Sequence, residues 1–199
     1  MKYITDKEIR GLSISPFQCV EWVKESFSMK YDAQVPPKIS LHPQKSDFFN
    51  TMPCLLPPEY DRFGVKVVSR IAGNKPSLRS DVLLYQAATG ILLSLMSADW
   101  RTQMRTGAVA ALTINTLQSS CANVYAFVGL GSTAIATMQC LLSTLPLQKQ
   151  ITCKLLRYKR QADDFINLFS AFSNVRFVIV ENNEDLIKDS DVVVSAVTE

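Results

Sequence analysis

The stretch at residues 124–140, VYAFVGLGSTAIATMQC, constrains the fold of this chain more than any other. An apolar β-type run is followed by Gly129-Leu130-Gly131 and then by a helix-forming segment that contains Ala134. This order predicts a strand, a tight turn at Gly129, close approach of a pyrophosphate at Gly131, and close helix–strand packing at Ala134. The pattern alone is weak, because pairs of glycines also occur in ordinary turns. The flanking sequence therefore decides how it is interpreted.

Strand-like and helix-like segments alternate from residue 124 onward. Strands are predicted at 124–128, 151–156, 175–180 and 191–197, with helices at 162–171 and 183–188. This alternation predicts βαβ units in a parallel sheet with strand order 3-2-1-4. A ligand would bind beyond the carboxyl ends of the strands, at the switch between the first and the fourth. The alternative is a sheet of this kind that binds no nucleotide.

The preceding part, residues 1–118, predicts an α+β domain. Thr5 with Glu8 forms a capping-box pattern, and Ser15-Pro16 begins a second helix. Extended runs at 38–41 and 48–53 precede a strand at 63–72 and a hairpin at 82–96. A long Ala-rich helix, beginning near Met104, then leads into the glycine turn. The predicted domains are therefore 1–118 and 119–199.

The bulk composition excludes several classes of protein. The 199 residues carry a net charge of +3, with 47% hydrophobic and 20% charged residues, which is typical of a soluble globular protein. The small charge gives no support for nucleic-acid or membrane-surface binding, and we identify neither a transmembrane segment nor a signal peptide. The five scattered cysteines and the single His42 predict free thiols in a reducing cytoplasm and no metal site.

Several segments together resemble the ornithine cyclodeaminase / μ-crystallin family, over nearly the whole chain. The most specific feature is Lys66, followed by an Arg-Thr-x-Ala segment at Arg105, both ahead of the Gly-x-Gly-x-x-Ala turn. The resemblance implies an NAD(P)-dependent protein with a Rossmann-type sheet preceded by an α+β substrate and dimerisation domain. The segments that carry it are TMP at 51–53, GVKVV at 64–68, Asn74, ATG at 88–90, residues 99–109, GLGSTA at 129–134, and DVVVSAVT at 191–198.

The resemblance also implies the chemistry. Hydride would leave the α-carbon of an amino acid such as ornithine, the side-chain amine would attack the imine, and loss of ammonia with return of hydride would give proline. A relative that performs only the redox half would be an amino-acid dehydrogenase or a ketimine reductase. A μ-crystallin-like protein would hold NADPH without significant turnover, and a remnant would bind nothing. A homodimer and a small amino-acid or cyclic-imine substrate are also implied.

Two cationic residues are the implied catalytic pair. A guanidinium binds a planar carboxylate bidentately, whereas an ammonium supplies a point charge. In the family these groups serve the substrate, which assigns the role here to Lys66 and Arg105, with Met52 and Lys38 completing the substrate site. Lys38 stands where the family usually has an arginine. The alternatives are a solvated sheet face for Lys66 and a surface ion pair with Asp99 for Arg105.

The cofactor contacts follow from the same resemblance. Thr133 stands where the family commonly has glutamine, and Lys159 with Arg160 occupies the place where NAD-preferring members offer an acid to the ribose 2′-hydroxyl. Two cations there favour a 2′-phosphate, hence NADP(H), unless they only form a solvated strand end with Arg157. The implied contacts are Ser80, Arg105, Thr106, Gly129, Leu130, Gly131, Ser132, Thr133, Ala134, Lys159, Arg160, Gln161, Ala196, Val197 and Thr198.

The sequence departs from the family in length. It ends after the predicted fourth parallel strand, whereas family members continue through further βα units. A later Gly-x-Asp segment in the family supplies an aspartate proposed as the catalytic base, and this sequence does not contain it. We therefore expect either a fragment or a half-protein that no longer catalyses, with the strand at 191–197 as an exposed apolar edge.

Overall fold

Two β-sheets organise residues 1–197, the part of the chain that this computed structural model describes. The chain packs as two units, one formed by Met1–Ile14 and Lys24–Thr102 and the other by Ser15–Val23 and the residues from Gln103 onward. Two of the three boundaries, at Val23/Lys24 and at Thr102/Gln103, fall within helices. The division at residue 118 stays a prediction about which part of the chain performs which function.

The first unit is built on a six-stranded sheet. Its strands are β1 (Lys2–Ile4), β2 (Ile39–Leu41), β3 (Phe48–Leu55), β4 (Arg62–Arg70), β5 (Leu78–Gln86) and β6 (Leu92–Ser97). Their order is β1-β6-β5-β4-β3-β2, antiparallel throughout except that β1 runs parallel to β6. The predicted strand at 63–72 and the hairpin are confirmed. The sequence did not predict β1, because three residues are too few for a periodic pattern.

The first two helices begin at the predicted polar caps. In α1 (Asp6–Gly11), the Glu8 amide donates to Thr5 Oγ1 at 3.2 Å, and the Thr5 amide donates to Glu8 at 2.8 Å, which confirms the capping box. In α2 (Pro16–Ser28), the Gln18 amide donates to Ser15 Oγ at 3.1 Å. A 3-10 turn covers Pro58–Tyr60. The long helix α3 (Asp99–Leu117) starts at Asp99, earlier than the predicted start near Met104.

The second unit is the predicted parallel α/β structure. It contains β7 (Val124–Val128), α4 (Ser132–Thr144), β8 (Ile151–Leu156), α5 (Gln161–Leu168), β9 (Val175–Val180), α6 (Asn183–Ile187) and β10 (Val192–Ser195). All strand pairs are parallel, and the order β10-β7-β8-β9 is the predicted 3-2-1-4 arrangement read from the other edge. The core is dominated by aromatic and aliphatic side chains that are fully buried, among them Tyr125, Phe127, Leu141, Leu155 and Phe165.

Small residues bring α3 against α4 within this unit. A Cβ at Gly107 would lie 2.4 Å from the Ala136 carbonyl carbon, so the two helix backbones touch. Ala108 and Ala111 are fully buried on the same helix. The small residues of α3 therefore let the two helices pack closely. Neither α3 nor any other helix within residues 1–197 is long and apolar enough to cross a membrane.

Candidate functional site

A cleft of about 530 Å³ opens beyond the carboxyl ends of the parallel strands. We call it the Gly129 cleft. It lies at the predicted switch point between β7 and β10, where open α/β sheets bind their ligands. Its lining comes from the segments after β7, β8 and β10: Val128, Gly129, Leu130, Gly131, Ser132, Thr133, Leu156, Arg157, Tyr158, Gln161, Ala196 and Val197.

The two glycines of the turn have different structural roles. Gly129 has φ +78°, and a Cβ there would lie 2.7 Å from the carbonyl oxygen of Ala196, so this position admits only glycine without rearrangement. A Cβ at Gly131 would meet no atom of the described chain within 4 Å. Gly129 therefore lets the loops after β7 and β10 touch, and Gly131 leaves open space at the cleft wall.

The N-terminus of α4 points its backbone donors at this space. Gly131 is the N-cap residue, and within the described residues no side chain caps the helix by a hydrogen bond. The first-turn N–H groups and the helix dipole favour an anion at such an end. Ala134 is fully buried, as the third small residue of the pattern requires. The glycine turn and the start of α4 therefore fit the pyrophosphate of a dinucleotide.

Arg157 and Tyr158 follow β8 in the Gly129 cleft, and the sequence had not singled them out as ligands. Arg157 Nε lies 2.7 Å from Glu181 Oε1, and this hydrogen bond raises the pKa of the guanidinium. Lys159 and Arg160 are outside the lining, but the Lys159 ammonium lies 5.1 Å from the centre of the Tyr158 ring. Of the predicted contacts, Gln161, Ala196 and Val197 line the cleft, and Thr198 is outside the described residues.

A second cleft, of about 220 Å³, lies on the sheet of the first unit. We call it the Lys66 cleft. Gly64 forms part of its floor, since a Cβ there would meet only the Leu83 carbonyl oxygen, at 3.7 Å. Its lining residues are Met52, Cys54, Leu56, Arg62, Gly64, Val65, Lys66, Val82, Leu84 and Arg101.

Strand register brings the predicted substrate residues of this unit together. Met52 lies opposite Lys66, and Lys66 lies opposite Val82. Residues directly opposite one another share a face of the sheet. The register of β2 with β3, extended by one residue, places Lys38 opposite Met52. Lys66 therefore faces a cleft in a row with Lys38 and Met52, although Lys38 itself is exposed.

Ser80 links β5 to the start of α3 in the first unit. It is buried, and its amide and Oγ donate to Asp99 Oδ1 at 2.7 and 3.1 Å, which fixes the start of α3 against β5. Its Oγ also lies 2.9 Å from Thr102 Oγ1. Asp99, the alternative partner of Arg105, is thus engaged by Ser80. Arg105 is exposed on α3 in the second unit, with Thr106 half-buried beside it. The roles assigned to Ser80, Arg105 and Thr106 stay predictions.

The sequence also failed to identify three polar residues that line the Lys66 cleft. Arg62 could have been found, because it alternates on β4 with Gly64 and Lys66 and therefore shares their face. Cys54 is part of the same face, and burial raises the pKa of its thiol. Arg101 had no comparable signal, since its position depends on how the first turn of α3 packs on the sheet.

Comparison with known proteins decides the family. A family model described as "Ornithine cyclodeaminase/mu-crystallin family" matches residues 3–199. The chain belongs to this family. The resemblance identified from the Lys66, Arg105 and glycine-turn segments is thereby confirmed.

Within residues 1–197, no group of three or more His, Cys, Asp or Glu side chains could hold a metal ion.

Two curated relatives match most of this chain but only about half of their own length. It is 28% identical over 170 residues to "Nodulation efficiency protein NfeD" of Rhizobium meliloti, covering 82% of this chain and 51% of that protein. It is 30% identical over 144 residues to "Alanine dehydrogenase" of Archaeoglobus fulgidus, covering 69% and 43%. The chain therefore spans about half the length of the curated family members it matches.

Solved structures of similar proteins show the fold. An archaeal alanine dehydrogenase dimer with bound NAD has a TM-score of 0.84 at 24% identity, covering 97% of this chain and 59% of that one. A Thermococcus litoralis Delta(1)-pyrroline-2-carboxylate reductase in complex with NADH and L-proline has a TM-score of 0.86 at 23% identity, covering 98% and 61%. A probable ornithine cyclodeaminase from Bordetella pertussis Tohama I has a TM-score of 0.79 at 20% identity, covering 99% and 60%. The family fold, with its Rossmann-type sheet, is thereby confirmed.

Proposed function

We propose that this chain binds NAD(P) in the Gly129 cleft and an α-amino or α-imino acid in the Lys66 cleft, as part of an enzyme that transfers a hydride at the α-carbon. The observation that carries the proposal is the start of α4, where open space at Gly131 and backbone donors meet at the switch point. The solved relatives named above as NAD and NADH complexes support the same cofactor class.

The cofactor would supply the hydride acceptor or donor when bound. The amides at the start of α4 would hold its pyrophosphate, and Leu130, Ser132 and Thr133 line the space around it. We further propose a preference for NADP(H). No carboxylate belongs to the lining of the Gly129 cleft among the described residues, and Lys159 is held against the cleft residue Tyr158, with Arg160 next in the chain.

The substrate would be oriented by its carboxylate. Lys66 offers a point charge in the Lys66 cleft, Lys38 adds a second along the same row, and Met52 covers the space between them. We propose Arg105 as the guanidinium partner. In this proposal the substrate carboxylate contacts Lys66 directly.

The conversion of ornithine to proline and ammonia is the reaction suggested by the family name. One observation favours the redox-only alternative, an amino-acid dehydrogenase or ketimine reductase. Arg62 and Arg101 both line a cleft of about 220 Å³, and their positive charges repel the side-chain ammonium of a diamino acid. Chemistry confined to the α-carbon does not require that ammonium to enter.

We also propose a homodimer in a reducing, cytoplasmic compartment. All five cysteines are free thiols, which is typical of proteins kept reduced. An alanine dehydrogenase with this fold is described as a dimer, which supports the proposed assembly. Sedimentation of the purified chain tests the assembly, since a monomer at all concentrations contradicts it.

Titration of the full chain with NADPH and NADH, followed by nicotinamide fluorescence, tests the proposed function. We expect saturable binding of both, tighter for NADPH, and a shift of preference toward NADH in Lys159→Glu. Lys66→Ala is the matched control and should leave dinucleotide binding unchanged. Absence of binding by a folded chain would contradict the proposal and leave an inactive remnant. Binding without turnover of any amino acid or cyclic imine would favour the μ-crystallin-like alternative.

A further inference from the structure

The lining of the Lys66 cleft carries positive charge from three sides. Arg62 and Lys66 stand on either side of Gly64 on β4, and Arg101 enters from the first turn of α3. The remaining lining residues are apolar or, at Cys54, carry a thiol whose pKa is raised by burial. Among the described lining residues there is no carboxylate.

Two of the three cations differ in how their charge is balanced. Arg62 Nη1 donates to the Asp61 carbonyl oxygen at 2.8 Å and lies 4.0 Å from the Asp61 carboxylate, so its charge is partly balanced outside the cleft. Arg101 Nη1 instead contacts Met96 Sδ, and a thioether is only a weak acceptor. Burial lowers the pKa of the Arg101 guanidinium, which nevertheless stays cationic at neutral pH.

The contact between Arg101 and Met96 locates the guanidinium relative to the strands of the sheet. Lys66 lies opposite Val82, and Val82 lies opposite Met96, so Lys66 and Met96 stand two strands apart on one face. Neighbouring strands are about 4.8 Å apart, which puts the Cα atoms of Lys66 and Met96 roughly 10 Å apart. Because the Arg101 guanidinium contacts the Met96 side chain, this guanidinium and the Lys66 ammonium can contact one small molecule from opposite ends.

We propose that the Lys66 cleft takes a dicarboxylic α-amino or α-imino acid, with the α-carboxylate at Lys66 and the side-chain carboxylate at Arg101. The inference rests on the proposed function and narrows its substrate class. A half-buried guanidinium is partly desolvated, which an anion can offset, and a carboxylate matches its planar donors bidentately. A monocarboxylate held at Lys66 would leave the Arg101 guanidinium without an anion, and the side-chain ammonium of a diamino acid would be repelled by that guanidinium. Arg101 is thereby a specificity-determining residue.

Ligand-observed NMR on the full chain, with L-aspartate, L-glutamate, L-alanine and L-ornithine as probes, tests this inference. The titrations are run with and without NADPH. We expect at least one dicarboxylate to bind on the order of 10-fold or more tighter than L-alanine, and L-ornithine to bind weakest. Arg101→Leu should weaken dicarboxylate binding by on the order of 10- to 100-fold and leave L-alanine binding within about twofold.

Two further variants separate specificity from structure. Arg101→Lys keeps the charge but loses the planar fork, so its preference for dicarboxylates should fall between those of wild type and Arg101→Leu. Arg79→Leu makes the same change at an exposed arginine on β5 outside the cleft lining, and it should change neither affinity. A merely structural role for Arg101 would lower the affinities for L-alanine and the dicarboxylates equally, which would overturn the inference.

The remaining outcomes distinguish this inference from the proposed function. Equal affinities of wild type for L-alanine and L-aspartate would overturn the dicarboxylate assignment and leave the proposed function standing. Tightest binding of L-ornithine would overturn it in favour of cyclodeamination. No binding of any amino acid by a folded chain that still binds NADPH would refute the substrate half of the proposed function, and the inference with it.

Discussion

The two clefts of this chain differ in the groups that form them, mainly backbone in one and side chains in the other. The Gly129 cleft uses backbone, small residues and a helix end, and its central elements come from the single stretch 128–134. The Lys66 cleft uses side chains from β3, β4, β5 and α3, which are distant in sequence. A site made from local backbone can be recognised as a motif, whereas a site made from side chains on several strands depends on their register.

The two glycines of the backbone-built site should respond very differently to alanine. Gly129→Ala should reduce the free energy of unfolding by about 2–4 kcal/mol, because φ is +78° and the added Cβ would lie 2.7 Å from the Ala196 oxygen. At Gly131 there is open space, and alanine as an N-cap should cost about 1 kcal/mol while weakening dinucleotide binding. Urea unfolding and nicotinamide fluorescence measure the two effects. Equal losses of stability would remove the distinction between the glycines.

Substitutions in the Lys66 cleft should weaken amino-acid binding without changing dinucleotide binding in the Gly129 cleft. Lys66→Ala should weaken amino-acid binding by on the order of 10-fold or more, because a charge-assisted hydrogen bond is lost. Arg105→Ala should weaken it as well. Lys45→Ala, at an exposed lysine of the first unit, is the matched control and should have no effect. Ligand-observed NMR measures the amino-acid affinity. Unchanged affinity in both Lys66→Ala and Arg105→Ala would contradict the proposed substrate site.

Asp191 lies at the amino end of the parallel sheet, where β7 and β10 begin, and should affect stability alone. Its carboxylate accepts from the amides of Asn123 and Val124, each at 2.8 Å, and these bonds lower its pKa. A folded-state pKa below the unfolded value of about 3.9 stabilises the chain above that pH, and this contribution is lost as pH falls through the folded pKa.

Comparison of wild type with Asp191→Asn by urea unfolding at several pH values checks this prediction. The difference between their midpoints should be largest near neutral pH and should narrow between about pH 5 and pH 2. Dinucleotide binding at neutral pH should be equal in both proteins. A difference that stays constant with pH would show that the carboxylate charge does not stabilise the start of β7.

The smallest effect concerns thiol reactivity. Burial raises the pKa of Cys140 to about 12 in the second unit, and the exposed Cys121 should therefore be alkylated far faster at neutral pH. Cys54 in the Lys66 cleft should react at an intermediate rate and be protected by a bound dicarboxylate. Mass spectrometry of the alkylated chain measures the three rates. Equal rates of alkylation for Cys121 and Cys140 would contradict the burial of Cys140.

Features that depend on local sequence could be predicted, whereas features that depend on residues distant in the chain could not. The alternating segments after residue 124 predicted the parallel sheet and its strand order, because both depend on local periodicity and chain handedness. The antiparallel strands were also predicted, but β1 was not, and α3 begins before its predicted start. The contact of Gly129 with Ala196 could not be predicted, since the two residues lie far apart in the chain.

The limits of prediction from the sequence are clearest for charged residues. Lys66 was chosen by resemblance, and the register then placed it in a row with Met52. Arg101 has no motif, because only the packing of α3 on the sheet brings it to the cleft. Lys159 and Arg160 follow β8 as predicted, but the side chains that line the Gly129 cleft at that point are Arg157, Tyr158 and Gln161.

The most direct test of the two-cleft account is backbone amide NMR of the isotope-labelled full chain, titrated first with NADPH and then with L-aspartate. We expect NADPH to shift the amides of residues 129–134 and of Ala196 and Val197. L-aspartate should shift those of Met52, Lys66 and Val82. An unchanged glycine turn at saturating NADPH, or L-aspartate shifts confined to residues outside the Lys66 cleft, would contradict it.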